Sequence, residues 1–161
     1  MNKPKFIIMC GYPASGKNYW IKNHNKGYIV VELDWIRREI FGHQFHTNAE
    51  PFIIGFAKSI VRLLLSQNKN VIVNSTGLTR WIRQEWYNIG KEYNADITVV
   101  WIATSEQICN KRNSKRTENR LSQDVIDRLI AFFQPPDDEL LNVANIKLKI
   151  IKTKYENCIY K

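Results

Sequence analysis

The stretch Gly11-Tyr12-Pro13-Ala14-Ser15-Gly16-Lys17-Asn18 follows directly on the apolar run Phe6-Ile7-Ile8-Met9-Cys10. The run reads as a buried strand. The spacing G-x-x-x-x-G-K after it reads as a loop that folds backbone N–H groups around an anion and then opens a helix, whose N-terminus adds positive potential. All eight residues are expected to form this cradle, with Lys17 reaching the terminal phosphates of a bound nucleotide. The eighth position departs from the usual pattern. A Ser or Thr there offers magnesium a hydroxyl, whereas Asn18 offers an amide oxygen and stands as the candidate metal ligand of the loop.

A strand that feeds such a loop constrains everything after it, because the chain must return beside that strand through a crossover. The remaining sequence alternates accordingly. A helix over 17–25 stops at Gly27, a strand spans 28–33, and Asp34 opens a short helix over 35–41. Pro51 falls in the first turn of a longer helix with Ile53, Phe56, Ala57, Ile60 and Leu64 as its inward stripe. Strands are expected at 70–74, 97–103 and 146–152, the last an edge because Ile/Leu alternate with Lys. Between them lie helices over 78–93, with Ile82, Trp86, Ile89 and Tyr93 inward, and from a Thr104/Gln107 capping box to 113. A further helix over 125–133, capped by Ser122, is halted by Pro135-Pro136. The expected fold is α/β: a parallel sheet with helices on both faces, in one domain over 1–161, with ligands gathered at the carboxyl ends of the strands.

Composition narrows the class. With 161 residues, 44% of them hydrophobic, the chain can bury a continuous core. Its net charge of +9 favours an acidic partner, such as nucleic acid or a phosphorylated small molecule. Cys10, Cys109 and Cys158 are odd in number and lack metal-type spacing, so a zinc site or disulfide framework is not expected and a reducing cytoplasm is. No apolar stretch reaches the roughly 18 residues that span a bilayer, so no membrane partner is expected.

Four segments should meet at the strand ends: the loop, Asp34, the turn Asn74-Ser75-Thr76 and a basic stretch beginning near Arg112. Asp34 and Arg37 are one helical turn apart, which lets the carboxylate accept a proton from an attacking hydroxyl while the guanidinium orients the acceptor or the carboxylate. Lys111-Arg112-Asn113-Ser114-Lys115-Arg116, with Arg120 beyond, is too charged for core and reads as a lid over about 112–121, delivering guanidinium groups to a transferring phosphoryl. Arg80 begins the helix after the third strand, with Arg83 nearby, where an incoming phosphodiester can be held. His43 and His46, interleaved with Phe41 and Phe45, are candidates for stacking on a base. The third strand ends Val73-Asn74-Ser75-Thr76, without the carboxylate that usually helps hold magnesium.

On these residues the chain resembles the kinase domain of phage-type polynucleotide 5′-hydroxyl kinases, within the P-loop kinase group that includes zeta toxins. Gly11 to Lys17 matches that family's loop, Asp34-x-x-Arg37 its general base and substrate arginine, and Thr76-Gly77-Leu78 its turn after the third strand. Arg112 to Arg116 is similar to its lid, and Pro135-Pro136-Asp137-Asp138-Glu139 to a Pro-and-Glu segment common in it. The resemblance implies ATP and Mg²⁺ as cofactors, nucleic acid 5′ ends as partners, catalytic roles for Lys17, Asp34, Arg37 and Arg116, ATP contacts from Arg112 and Arg116, and acceptor contacts from Arg37, Thr76 and Arg80. It also implies that the chain supplies the kinase half of any two-activity repair enzyme. A small-molecule acceptor (nucleotide sugar, nucleoside or antibiotic) and a nucleotide-binding protein without turnover stay open as alternatives.

Overall fold

The computed structural model describes residues 2–42, 46–136 and 146–153. Its elements run β1 (Lys5–Cys10), α1 (Lys17–His24), β2 (Ile29–Glu32), α2 (Leu33–Phe41), a 3-10 turn (Thr47–Ala49), α3 (Glu50–Ser66), β3 (Val71–Asn74), α4 (Arg80–Glu92), β4 (Asp96–Ala103), α5 (Glu106–Ser114), α6 (Gln123–Ala131) and β5 (Ile146–Lys152). All strands pair in parallel, in the order β2-β3-β1-β4-β5. The first strand therefore lies in the middle of the sheet. The chain builds outward to one side through β3 and β2 and to the other through β4 and β5, which opens a crevice at the end of β1 where the direction of winding reverses.

Both faces of the sheet are covered, and the period of two along each strand decides which side chain goes where. Phe6, Ile8 and Cys10 of β1, with Val71 and Val73 of β3, pack against α2, α3 and α4 through Ile36, Ile53, Ala57, Val61, Trp86 and Ile89. Ile7, Met9 and Ile72 point the other way and meet Trp20 and Ile21 of α1. The expected parallel sheet with two helical layers is what the chain forms.

Element ends differ from expectation where side chains find other partners. β2 stops at Glu32, so Leu33 and Asp34 already belong to α2. On α3 the buried stripe is Ile53, Ala57, Val61 and Leu65, a strict four-residue spacing that rotates the expected Phe56 outward to 51% exposure. Ile60 and Leu64 remain partly buried beside it. α4 starts at Arg80, two residues later than expected, because the Thr79 hydroxyl accepts the N–H of Ile82 at 3.3 Å and caps the helix there. The expected capping box at Thr104 is absent: α5 takes Ser105 as its N-cap, and the Thr104 hydroxyl bonds elsewhere. Ser122 does precede α6, yet makes no side-chain cap, and the helix runs Gln123–Ala131 instead of 125–133. β5 has the expected bounds and lies at the sheet edge. Among the described residues, no helix is long and apolar enough to cross a membrane.

Candidate active site

The loop leaves the central strand at Gly11, whose φ of +143° suits glycine alone. Space also requires it. A Cβ at Gly11 would sit 2.8 Å from the Ile102 carbonyl oxygen and 2.9 Å from the Ser15 hydroxyl. The Gly11 N–H donates to the Thr76 carbonyl at 3.0 Å, which ties the start of the loop to the turn after β3. From within the protein, the Thr104 hydroxyl donates to the Ser15 carbonyl at 2.7 Å, and Arg112 Nη1 donates to the Ala14 and Ser15 carbonyls at 3.3 and 3.0 Å. With those carbonyls drawn inward, the loop is held as a rigid shell.

Lys17 folds back over this shell, its ammonium donating to the carbonyls of Gly11 and Tyr12 at 2.8 Å each. Burial pushes its pKa down to about 8, offset only in part by Cys10, Cys109 and then Asp34, which raise it. Asp34, the expected base, lies two residues past Glu32, which is joined to Asn18 of the loop through Asn74. Beside the loop, a pocket of about 270 Å³ is lined by Gly16, Tyr19, Trp20, Ile102, Ile151 and Thr153 among others. On the opposite flank the Tyr12 ring packs on Phe133, centroids 4.6 Å apart.

Asp34 stands in the first turn of α2 and is 78% exposed to solvent. Its partner is Arg37, as the spacing suggested. The guanidinium of Arg37 is also gripped in bidentate fashion by Glu50, at 2.7 and 2.8 Å, so it bridges two carboxylates and braces Asp34 from α3. Glu50 was not legible as a site residue: thirteen positions separate it from Arg37, across an aperiodic segment.

Asn18 lies where a loop hydroxyl would face the metal, and its Oδ1 accepts a hydrogen bond from Asn74 Nδ2 at 2.9 Å. The same Nδ2 donates to Glu32 Oε1 at 3.3 Å. Glu32 is a half-buried carboxylate whose pKa is raised, first by burial and then by the charge of Asp34. It was missed because the strand was expected to continue past it. The adjacent Ser75 hydroxyl is buried without a hydrogen-bond partner. These side chains form a set of hard oxygen donors next to the phosphate loop, which is the chemistry magnesium needs.

The basic segment divides in two. Lys111 to Ser114 complete the last turn of α5, where Arg112 and Asn113 are buried, so Arg112 underpins the loop instead of hanging above it. The Asn113 amide both donates to the Leu121 carbonyl and accepts its N–H, at 2.9 and 3.1 Å, closing the intervening segment into a loop. Arg116 belongs to that loop, its guanidinium donating to the Asn119 carbonyl at 3.4 Å. Thr76 touches the site through its backbone. Arg80 is exposed, its N–H donating to Gln134 Oε1 at 2.8 Å, whereas Arg83 is fully buried and donates to the Gly77 carbonyl at 2.5 Å. Arg83, named beside Arg80 at the start of this helix, takes a packing role, because the helix turns it inward. Of the expected stacking segment, His43 and Phe45 lie outside the described residues, as do Asp137, Asp138 and Glu139.

The described family "AAA domain" (AAA_33) matches residues 6–136. Among curated relatives, "Protein KTI12 homolog" of Danio rerio is 26% identical over 143 residues, 81% of this chain and 51% of that protein. "Bifunctional polynucleotide phosphatase/kinase" of Schizosaccharomyces pombe is 21% identical over 158 residues, 92% of this chain and 35% of that protein. The chain thus spans about half or less of these relatives. The solved Pnkp1/Rnl/Hen1 RNA repair complex superposes with a TM-score of 0.76 at 24% identity, covering 86% of this chain and 47% of the other. The Mycobacterium tuberculosis APS kinase CysC, in complex with AMPPNP and APS, gives 0.69 at 15% identity over 96% and 91% of the two chains. With its central loop-bearing strand, its parallel sheet and a match over most of its length, the chain belongs to the AAA_33 family of AAA domains and has the fold of the P-loop kinases.

Proposed function

We propose that this chain is an ATP-dependent kinase that transfers the γ-phosphoryl group to the 5′-hydroxyl of a polynucleotide. The observation that carries the reading is an exposed carboxylate, Asp34, two residues past Glu32, which shares one Asn74 nitrogen with Asn18 of the phosphate loop. Loop amides and Lys17 hold the β- and γ-phosphates, and the apolar pocket past Gly16 has room for the base. Asp34 takes the acceptor proton as the acceptor oxygen bonds to the γ-phosphorus and the bond to the ADP oxygen breaks. Arg37, clamped by Glu50, fixes the direction of that carboxylate, and Arg116 faces the charge spread over the moving phosphoryl. Asn18, with the oxygen donors beside it, is placed to hold magnesium, which when bound neutralises the β- and γ-oxygens. The net charge of +9 and the polynucleotide kinase among the relatives support a nucleic acid acceptor.

A second reading, a small-molecule acceptor, is favoured by the near full-length superposition on APS kinase. A third, nucleotide binding without turnover, is favoured by amides at both usual metal positions, Asn18 and Asn74. Labelled ATP offered with 5′-hydroxyl oligonucleotides of DNA and RNA, and separately with nucleosides and nucleotide sugars, sorts the three. Label at the oligonucleotide 5′ end, falling steeply with salt, is the expected result. Label on small alcohols alone, or ADP binding with no transfer under Mg²⁺ or Mn²⁺, would reject the polynucleotide assignment.

A further inference from the structure

The geometry points to a rewired divalent-cation site in which Glu32 supplies the carboxylate from the end of β2, together with Asn18 and Asn74. The inference rests on the nucleotide-binding reading above and specifies where its metal is held. In P-loop phosphotransfer the ion is commonly held by a loop hydroxyl and by an acid beyond the phosphate strand. Here both of those positions carry amides, and a neutral pair attracts a divalent cation poorly. The parallel register sets Glu32 directly beside Asn74, one strand farther from the loop, a spacing of about 4.8 Å. Glutamate has one methylene more than aspartate and recovers part of that distance.

Two further observations single out Glu32. Asn18 Oδ1 and Glu32 Oε1 both converge on one Asn74 nitrogen, at 2.9 and 3.3 Å, so two oxygens already face a single point where positive charge is welcome. Among the described residues, Glu32 is also half-buried without an ion pair to any Lys or Arg. A carboxylate partly withdrawn from water at the mouth of a phosphate site, hydrogen-bonded to amides and with Asp34 and Arg38 as its charged neighbours, neither in an ion pair with it, carries a desolvation cost that a cation relieves. Turning the Asn74 amide over replaces the N–H donor with a third oxygen, giving Mg²⁺ three hard ligands and leaving its other positions to water and phosphate.

The test uses Mn²⁺ as the probe and the full chain with ADP bound, free Mn²⁺ being counted by electron paramagnetic resonance. Glu32→Gln keeps the oxygen that accepts from Asn74 but removes the charge. It should weaken Mn²⁺ binding about 10–100-fold, with ADP affinity in EDTA unchanged. Adding Asn74→Asp to Glu32→Gln, which returns a carboxylate to the end of β3, should restore much of that affinity. If Glu32→Gln fails to fold, Glu32→Asp retains the charge one methylene back, and the same loss is expected. Mn²⁺ affinity indifferent to these changes overturns the metal assignment alone. Failure of the unmodified protein to bind ADP in EDTA overturns the nucleotide-binding reading beneath it.

Discussion

Replacing Gly11 with alanine should damage the loop and, through it, nucleotide binding. Two costs add at this position. A φ of +143° is nearly closed to alanine, about 1–3 kcal/mol of backbone strain. The new methyl group would also press on the Ile102 carbonyl oxygen from 2.8 Å, where a backbone must move, adding about 1–3 kcal/mol. A loop that relaxes to relieve even about 2 kcal/mol of this does so by moving its N–H groups off the phosphates. At about 1.4 kcal/mol per tenfold, ADP affinity should fall roughly 30-fold or more. Gly27 is the matched control: φ is +81° and no atom lies within 4 Å of an added Cβ, so only strain of about 1–2 kcal/mol applies, far from the loop. Calorimetric titration of ADP in EDTA and urea unfolding of both variants separate the effects. Gly11→Ala within threefold of the parent for ADP, or Gly27→Ala losing as much ADP affinity as Gly11→Ala, would refute the reasoning.

Other outcomes follow from neighbouring groups. Because burial lowers the Lys17 pKa to about 8 from 10.5, phosphate binding above pH 8 must take up a proton; ADP affinity should fall by up to about tenfold per pH unit there, and Lys17→Met should abolish the slope in titrations from pH 7 to 9.5. The same shift means the folded chain holds fewer protons than the unfolded one between about 8 and 10.5, so the contribution of Lys17 to stability rises with pH across that window, measurable as the difference between parent and Lys17→Met in urea melts. Glu50→Gln should cost about 1 kcal/mol in urea unfolding and lower kcat more than it raises KM, since Arg37 loses its anchor on α3. Arg112→Met, which frees the Ala14 and Ser15 carbonyls, should weaken ADP binding about tenfold by calorimetry, consistent with about 1.5–3 kcal/mol for hydrogen bonds from a charged donor.

The sheet was legible because each strand is a short apolar run followed by a helical period, and a loop such as 11–18 admits only one kind of surroundings. Asp34 with Arg37 was legible for the same local reason: one helical turn fixes their separation. What escaped were partnerships made by the fold. Glu32 reaches Asn18 and Asn74 only because β2 pairs with β3 in that register, and Glu50 meets Arg37 only where α3 packs on α2. Thr104 looked like a helix cap, but its hydroxyl instead supports a loop 89 residues earlier in the chain. Arg83 and Arg112 looked like surface cations, and both are buried as donors to backbone carbonyls. Charge counted along a chain does not distinguish an arginine that meets a ligand from one that holds the scaffold around it.

The central claim is that Asp34 takes the proton of an alcohol held against the triphosphate in the glycine loop. Its most direct measurement is the single-turnover rate of phosphoryl transfer from ATP to a 5′-hydroxyl oligonucleotide, for the parent chain and for Asp34→Asn, at saturating ATP. A rate about 100-fold or more slower, with ATP affinity unchanged, is what the mechanism requires. Equal rates would contradict it.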